Sequence, residues 1–209
     1  MTAISDFFPR VIPYLVGCSE PLAQQALLDS AISFCESTNV LREQLDAFST
    51  AAGVTTYDLD APSQNVEIAR IISVKVNGEY IAPVMAEDVP NDDLNRTKPM
   101  GYYTSREGSR LVIVFAQIPD KAYTVKVTVS IKPTRTTTQL PSELFATWPD
   151  AVIAGAITKL ALVPNQPFTN PTLSAINAVE VAKHTSKART EGMYGRLQGS
   201  TRVRQRPFA

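Results

Sequence analysis

The sequence predicts an α+β protein in which N- and C-terminal helices form a small bundle, carry an inserted antiparallel β module and end in an extended C-terminal arm. Apolar residues recur at helical spacing over residues 19–38 and again from Leu140 onward. Between Val40 and Lys132 the period falls to two, and turn residues interrupt it at short intervals. After Thr190 the chain becomes rich in glycine and arginine, with little left to build a core. These changes divide the chain into an arm and first helix (1–39), a β module (40–139), C-terminal helices (140–190) and a basic arm (191–209). Helices that flank an insert in sequence commonly pack together, which is the reason for expecting a bundle.

The opening stretch FFPRVIPYLVG cannot form one long helix because Pro9 and Pro13 interrupt it, yet its aromatic and branched residues need cover. It reads as an arm packed on the body or on a neighbour. Ser19-Glu20-Pro21 supplies a capping hydroxyl, an early acid and a first-turn proline, and starts a helix that runs to about Thr38. Gln25, Asp29, Ser33 and Glu36 mark its polar stripe; Ala23, Leu27, Ala31 and Phe34 centre a wide apolar face.

In the β region, Asn77-Gly78 suits a tight type I′ turn between ISVKV and EYIAPV, giving a hairpin over Ile71 to Val84. A second pair joins Tyr102–Arg106 to Arg110–Phe115. The strand from Tyr123 to Lys132 alternates strictly, so Tyr123, Val125, Val127, Val129 and Ile131 face a core while Lys126, Thr128 and Ser130 face water. Residues 87–99 hold Glu87, Asp88, Asp92 and Asp93 with two prolines and read as a loop.

From Leu140 the pattern gives a short helix, a break near Pro149, and a helix to about Leu162 whose alanines and Gly155 permit close contact. VPNQPFTNP is a connection, and Asn170-Pro171 caps a last helix running to about Arg189, with Leu173, Ile176 and Val179 facing inward.

At 209 residues, with 44% hydrophobic and 19% charged side chains, the chain has the composition of a folded protein. Twenty basic and twenty acidic residues cancel, so any contact with nucleic acid must be local. No apolar run reaches the roughly 18 residues of a membrane span, and no contact with a membrane is expected. The first ten residues carry Asp6 where a secretory signal would be basic, so export by that route is not expected. Cys18 and Cys35 form no disulfide framework and read as reduced thiols.

Little catalytic chemistry is visible. His184, the single histidine, lacks spaced ligand partners and reads as a solvated or interface residue, and the acidic loop lacks the alternate-oxygen pattern of an EF-hand; no metal is expected. A phosphate loop, nucleophile elbow or dinucleotide fingerprint is not found, so neither a cofactor nor an enzymatic activity is expected. The sharpest asymmetry lies at the C-terminus. Over residues 189–209 five arginines stand against one glutamate, a net charge of +4. Tyr194, Arg196, Arg202, Val203, Arg204, Arg206 and Phe208 interleave arginine with apolar groups, a composition suited to docking on a partner. The competing readings of this segment are a solubilising tail and a nucleic-acid-binding module; an envelope-degrading hydrolase would need a carboxylate pair in a cleft.

The order of segments resembles the head-to-tail adaptors of short-tailed bacteriophages, the tail tubular protein A or gatekeeper-like proteins. RVIPYLVGCSEPLAQQALLDSAISFCESTNVLRE resembles their opening helix, and LPSELFATWPDAVIAGAITKLALVPNQPFTNP their later helix with its proline-bounded link. The final helix and its arm complete the likeness, which extends over most of the chain. It implies a non-catalytic virion protein, made in the host cytoplasm and assembled as a homo-oligomeric ring, a dodecamer, between the portal protein and the tail nozzle protein. Double-stranded DNA would pass non-specifically through its channel, the C-terminal segment would embrace the portal, and the β module would face the tail. The residues themselves suggest Gly192 to Ala209 as the portal-docking arm and Glu87, Asp88, Asp92 and Asp93 as a tail-facing or luminal acidic loop.

Overall fold

A computed structural model describes residues 1–88, 96–108 and 110–194, the side chains of Asp88, Met193 and Tyr194 excepted. The chain opens with strand β1 (Thr2–Ala3), a 3-10 turn (Ile4–Phe7), the short helix α1 (Phe8–Val11) and a second 3-10 turn (Ile12–Tyr14). Pro9 and Pro13 each occupy a first turn, where a missing N–H is tolerated. Ile4, Phe7, Val11 and Leu15 therefore line up at helical spacing, and all four are at most 1% exposed. The arm packs on its own body, against helix α2 (Glu20–Thr38). Ser19 caps α2 through its backbone carbonyl, which accepts from Ala23 N at 3.0 Å; its hydroxyl makes no capping bond, contrary to the sequence expectation. The helix ends at Asn39, in the left-handed region at φ 51°.

Strands β2 (Arg42–Gln44), β3 (Phe48–Ser49), β4 (Thr56–Leu59), β5 (Val66–Val76), β6 (Glu79–Pro83), β7 (Gly101–Glu107), β8 (Arg110–Phe115) and β9 (Thr124–Pro133) form one eight-stranded sheet among the described residues. Its order is β2-β9-β5-β6-β7-β8-β4, with β3 also paired to β9. The β5–β6 turn places Asn77 at φ 50° and Gly78 at φ 87°, the positive pair that the sequence signals. Two irregularities in β5, between Ile68 and Arg70 and between Ile71 and Ser73, bend it along β9. The sheet encloses Val74, Val76, Ile113, Phe115, Val125 and Val127, all at most 2% exposed. Strand β10 (Gln139–Leu140) pairs with β1 in a separate two-stranded sheet.

Helices α3 (Ser142–Thr147), α4 (Pro149–Leu160) and α5 (Pro171–Tyr194) follow. Helix α4 lies against α2 where two small residues meet: Ser30 Oγ donates to the Val152 carbonyl at 2.8 Å, and a Cβ added at Gly155 would lie 2.1 Å from that oxygen. Phe34 and Trp148 extend the contact, with ring centroids 5.6 Å apart.

The expectation of a small helical bundle carrying an inserted antiparallel β module is corrected here. A large curled sheet organises the molecule, and the helices cover one side of it. The physical reason is long-range pairing, since β2 and β3 join β9 and β4 joins β8, each across a wide stretch of chain. Nor is the sheet wholly antiparallel. Ala82 and Pro83 pair in parallel with Gly101 and Tyr102, so β7 starts beside the last residues of β6 and runs on in the same direction. The outward face of β9 also differs from expectation: Ser130 is completely buried, and Lys132 bridges Glu36 of α2 at 2.5 Å and Glu67 of β5 at 3.1 Å.

Candidate docking interface

The acidic loop begins where β6 leaves the sheet. Ala86–Asp88 form a single 3-10 turn with Glu87 exposed, while Asp92 and Asp93 lie outside the described residues. Beside this turn the surface is apolar rather than acidic. Met85 and Met100 are 71% and 72% exposed, and Val84 rests against Gly101, where a Cβ would come within 2.9 Å of it. Tyr80, also exposed, carries the Lys75 ammonium 4.3 Å above its ring. Lys98 donates to Glu79 and holds that carboxyl below the usual carboxylate range. The sequence reading missed this patch because isolated methionines beside a loop give no periodic signal.

Helix α5 leads to the basic arm. Asn170 caps it, its side-chain oxygen accepting from Leu173 N at 3.0 Å, and Pro171 opens its first turn as the sequence suggests. Leu173 packs against the core, but Ile176 and Val179 are 59% and 67% exposed, which corrects their expected inward direction. The buried stripe instead runs through Ser174 and Ala188. His184 Nε2 lies 3.9 Å from Glu180 Oε2 on the same helix. Near the end of α5, Arg189 Nε donates to the Ser37 carbonyl at 2.8 Å and satisfies an acceptor that the last turn of α2 leaves open. Tyr194 closes the helix; Arg196, Arg202, Val203, Arg204, Arg206 and Phe208 lie outside the described residues.

A third surface was not anticipated. The two ends of the sheet, β2 with β3 and β4, face each other without a ladder between them. Phe48 and Tyr57 touch across the seam, with ring centroids 5.1 Å apart. Alongside them runs a groove of about 590 Å³, lined by residues 43–46, 48–49 and 57–62. Glu43, Asp46, Asp58 and Asp60 are exposed along it, and Asp58 meets Arg110 at 3.2 Å. Nothing in the sequence marks these four carboxylates as neighbours, because only the strand order brings them together. Among the described residues no group of three or more His, Cys, Asp or Glu side chains has the arrangement of a metal site.

The family model described as SU10 adaptor protein matches residues 2–208, from end to end of the chain. The chain belongs to the SU10 adaptor protein family. None of the curated proteins compared with it matches. The adaptor is thus a bacteriophage head-to-tail adaptor protein, of a family that is structural rather than catalytic and whose place is the virion neck. No helix among its described residues is long and apolar enough to cross a membrane.

Proposed function

We propose that the adaptor assembles as a ring, a dodecamer, between the portal protein and the tail nozzle protein, and that double-stranded DNA passes through its channel. The observation that carries this reading is the family match over residues 2–208. In this reading the segment that follows α5 forms the portal-docking arm, with Tyr194 at the helix end and Arg196, Arg202, Val203, Arg204, Arg206 and Phe208 as its contacts. Glu87, Asp88, Asp92 and Asp93 face the nozzle or the lumen. Burying Phe208 would contribute about 1.5–3 kcal/mol, and each charge-assisted arginine bond a similar amount before ordering costs. One arm is weak, but arms linked through a ring bind as nearly intramolecular events, and their combined attachment is strong.

Acidic groups near the lumen suit passage of DNA, because a basic lumen would hold a polymer carrying one negative charge per roughly 1.7 Å of axis. Deleting residues 193–209 tests the arm: necks should fail to assemble or to retain packaged DNA. Normal, full particles from that deletion would remove the docking role. Tight, salt-sensitive DNA binding by the assembled ring would favour instead a nucleic-acid-binding role for the arginines.

A further inference from the structure

We infer that, until a portal protein engages the arm, the open seam between β2/β3 and β4 is a binding groove for residues 201–206 of the same chain, which enter it as a strand. Hydrogen bonding motivates the site. Strand β2 is paired only to β9 and β4 only to β8 among the described residues, so each keeps one edge without a strand partner. Alternate N–H and C=O groups on those edges point toward the seam, and an added strand would engage them.

The occupant is selected by pattern, charge and reach. Thr201-Arg202-Val203-Arg204-Gln205-Arg206 alternates, so a strand of this sequence presents three arginines on one face and threonine, valine and glutamine on the other. The groove offers the complement: exposed Glu43, Asp46 and Asp60, none with an ion-pair partner among the described residues, beside the Phe48–Tyr57 ring pair that Val203 can cover. The 15 residues of 195–209 carry four arginines and no acidic side chain.

The point of exit fits as well. A Cβ placed on Gly192 would lie 3.5 Å from Arg42 Nη2 and from the Thr38 carbonyl, and Arg42 is the first residue of β2. The chain therefore leaves α5 beside the groove. Residues 195–200, which include Gly195 and Gly199, can span up to about 20 Å at roughly 3.3–3.6 Å per extended residue. That proximity selects the chain's own segment over one from a second copy. Exposed charge pairs are screened, so occupancy is sensitive to salt.

Hydrogen exchange on the full chain, without any portal protein, tests the inference separately from the docking role. Amides of residues 202–206 should exchange at least tenfold more slowly than in a free peptide of residues 195–209. Asp46→Lys with Asp60→Lys should remove that protection while α2 and α4 stay protected, and adding Arg202→Glu with Arg204→Glu should restore it. Deleting residues 193–209 should raise exchange along β2 and β4, an arm that does not depend on the charge variants folding. Wild-type amides at 202–206 exchanging like the free peptide would overturn the inference. So would protection that rises with protein concentration and passes between isotopically mixed chains, since the occupant would then be a second copy.

Discussion

In the helical layer, Leu27, Leu28, Ile32 and Phe34 of α2 and Val152, Ile153, Ile157 and Leu160 of α4 belong to one buried core, and none of these eight is more than 7% exposed. The sheet is as densely filled inside, yet it leaves the edges of β2 and β4 without strand neighbours and a second cavity of about 570 Å³ between β5 and β7. The difference separates two tasks within one chain. Helices pair most of their backbone groups internally and can be closed off by packing, whereas a sheet that stops short leaves edge N–H and C=O groups to water or to an added strand. Closure gives the helical side its stiffness, and incompleteness gives the sheet side its capacity to accept a partner.

The comparison is broken hardest at Phe7, which is fully buried and meets the Phe145 ring edge-on at 5.1 Å. Phe7→Ala should cost about 3–5 kcal/mol, read as a lower urea midpoint with an unchanged slope. A loss below 1 kcal/mol would mean that the N-terminal arm is not part of the closed layer. Next in size is Gly155→Ala. Its new methyl group would meet Ser30, so α2 and α4 must separate, and about 1–3 kcal/mol should be lost. Ser30→Gly in the same chain should recover part of that loss, and additive losses in the double variant would contradict the contact. The smallest effect belongs to Ser130 on β9, whose buried hydroxyl has no hydrogen-bond partner among the described residues. Ser130→Ala should leave stability unchanged or raise it by up to about 1 kcal/mol in thermal unfolding; a clear decrease would show that the hydroxyl is satisfied after all.

Legibility in the sequence followed the range of the interactions. The α2 helix, the break at Trp148-Pro149 and the Asn77-Gly78 turn depend on residues within a few positions of one another, and each can be read from spacing or from backbone chemistry. Pairing of β2 with β9 or β4 with β8 depends on register between distant segments, which no local pattern encodes. The size and curl of the sheet escaped the reading for that reason, and so did the seam that gathers Glu43, Asp46, Asp58 and Asp60. Ile176 and Val179 were misdirected by a related cause: their helical spacing is correct, but α5 turns its Ser174–Ala188 side to the body. The family resemblance was legible because it lay in the order of segments, which the strand pairing does not alter.

The bond from Arg189 to the end of α2 also determines how the molecule carries load. A tension applied at Tyr194 pulls first on a helix fastened along α4 and tied at Ser37, so the force enters a close-packed interior as shear between helices. The ladders β5–β9 and β7–β8 are not among the elements to which α5 is chiefly fastened. A chain pulled from its C-terminal end would therefore yield by helices sliding past one another, with its strands still zipped.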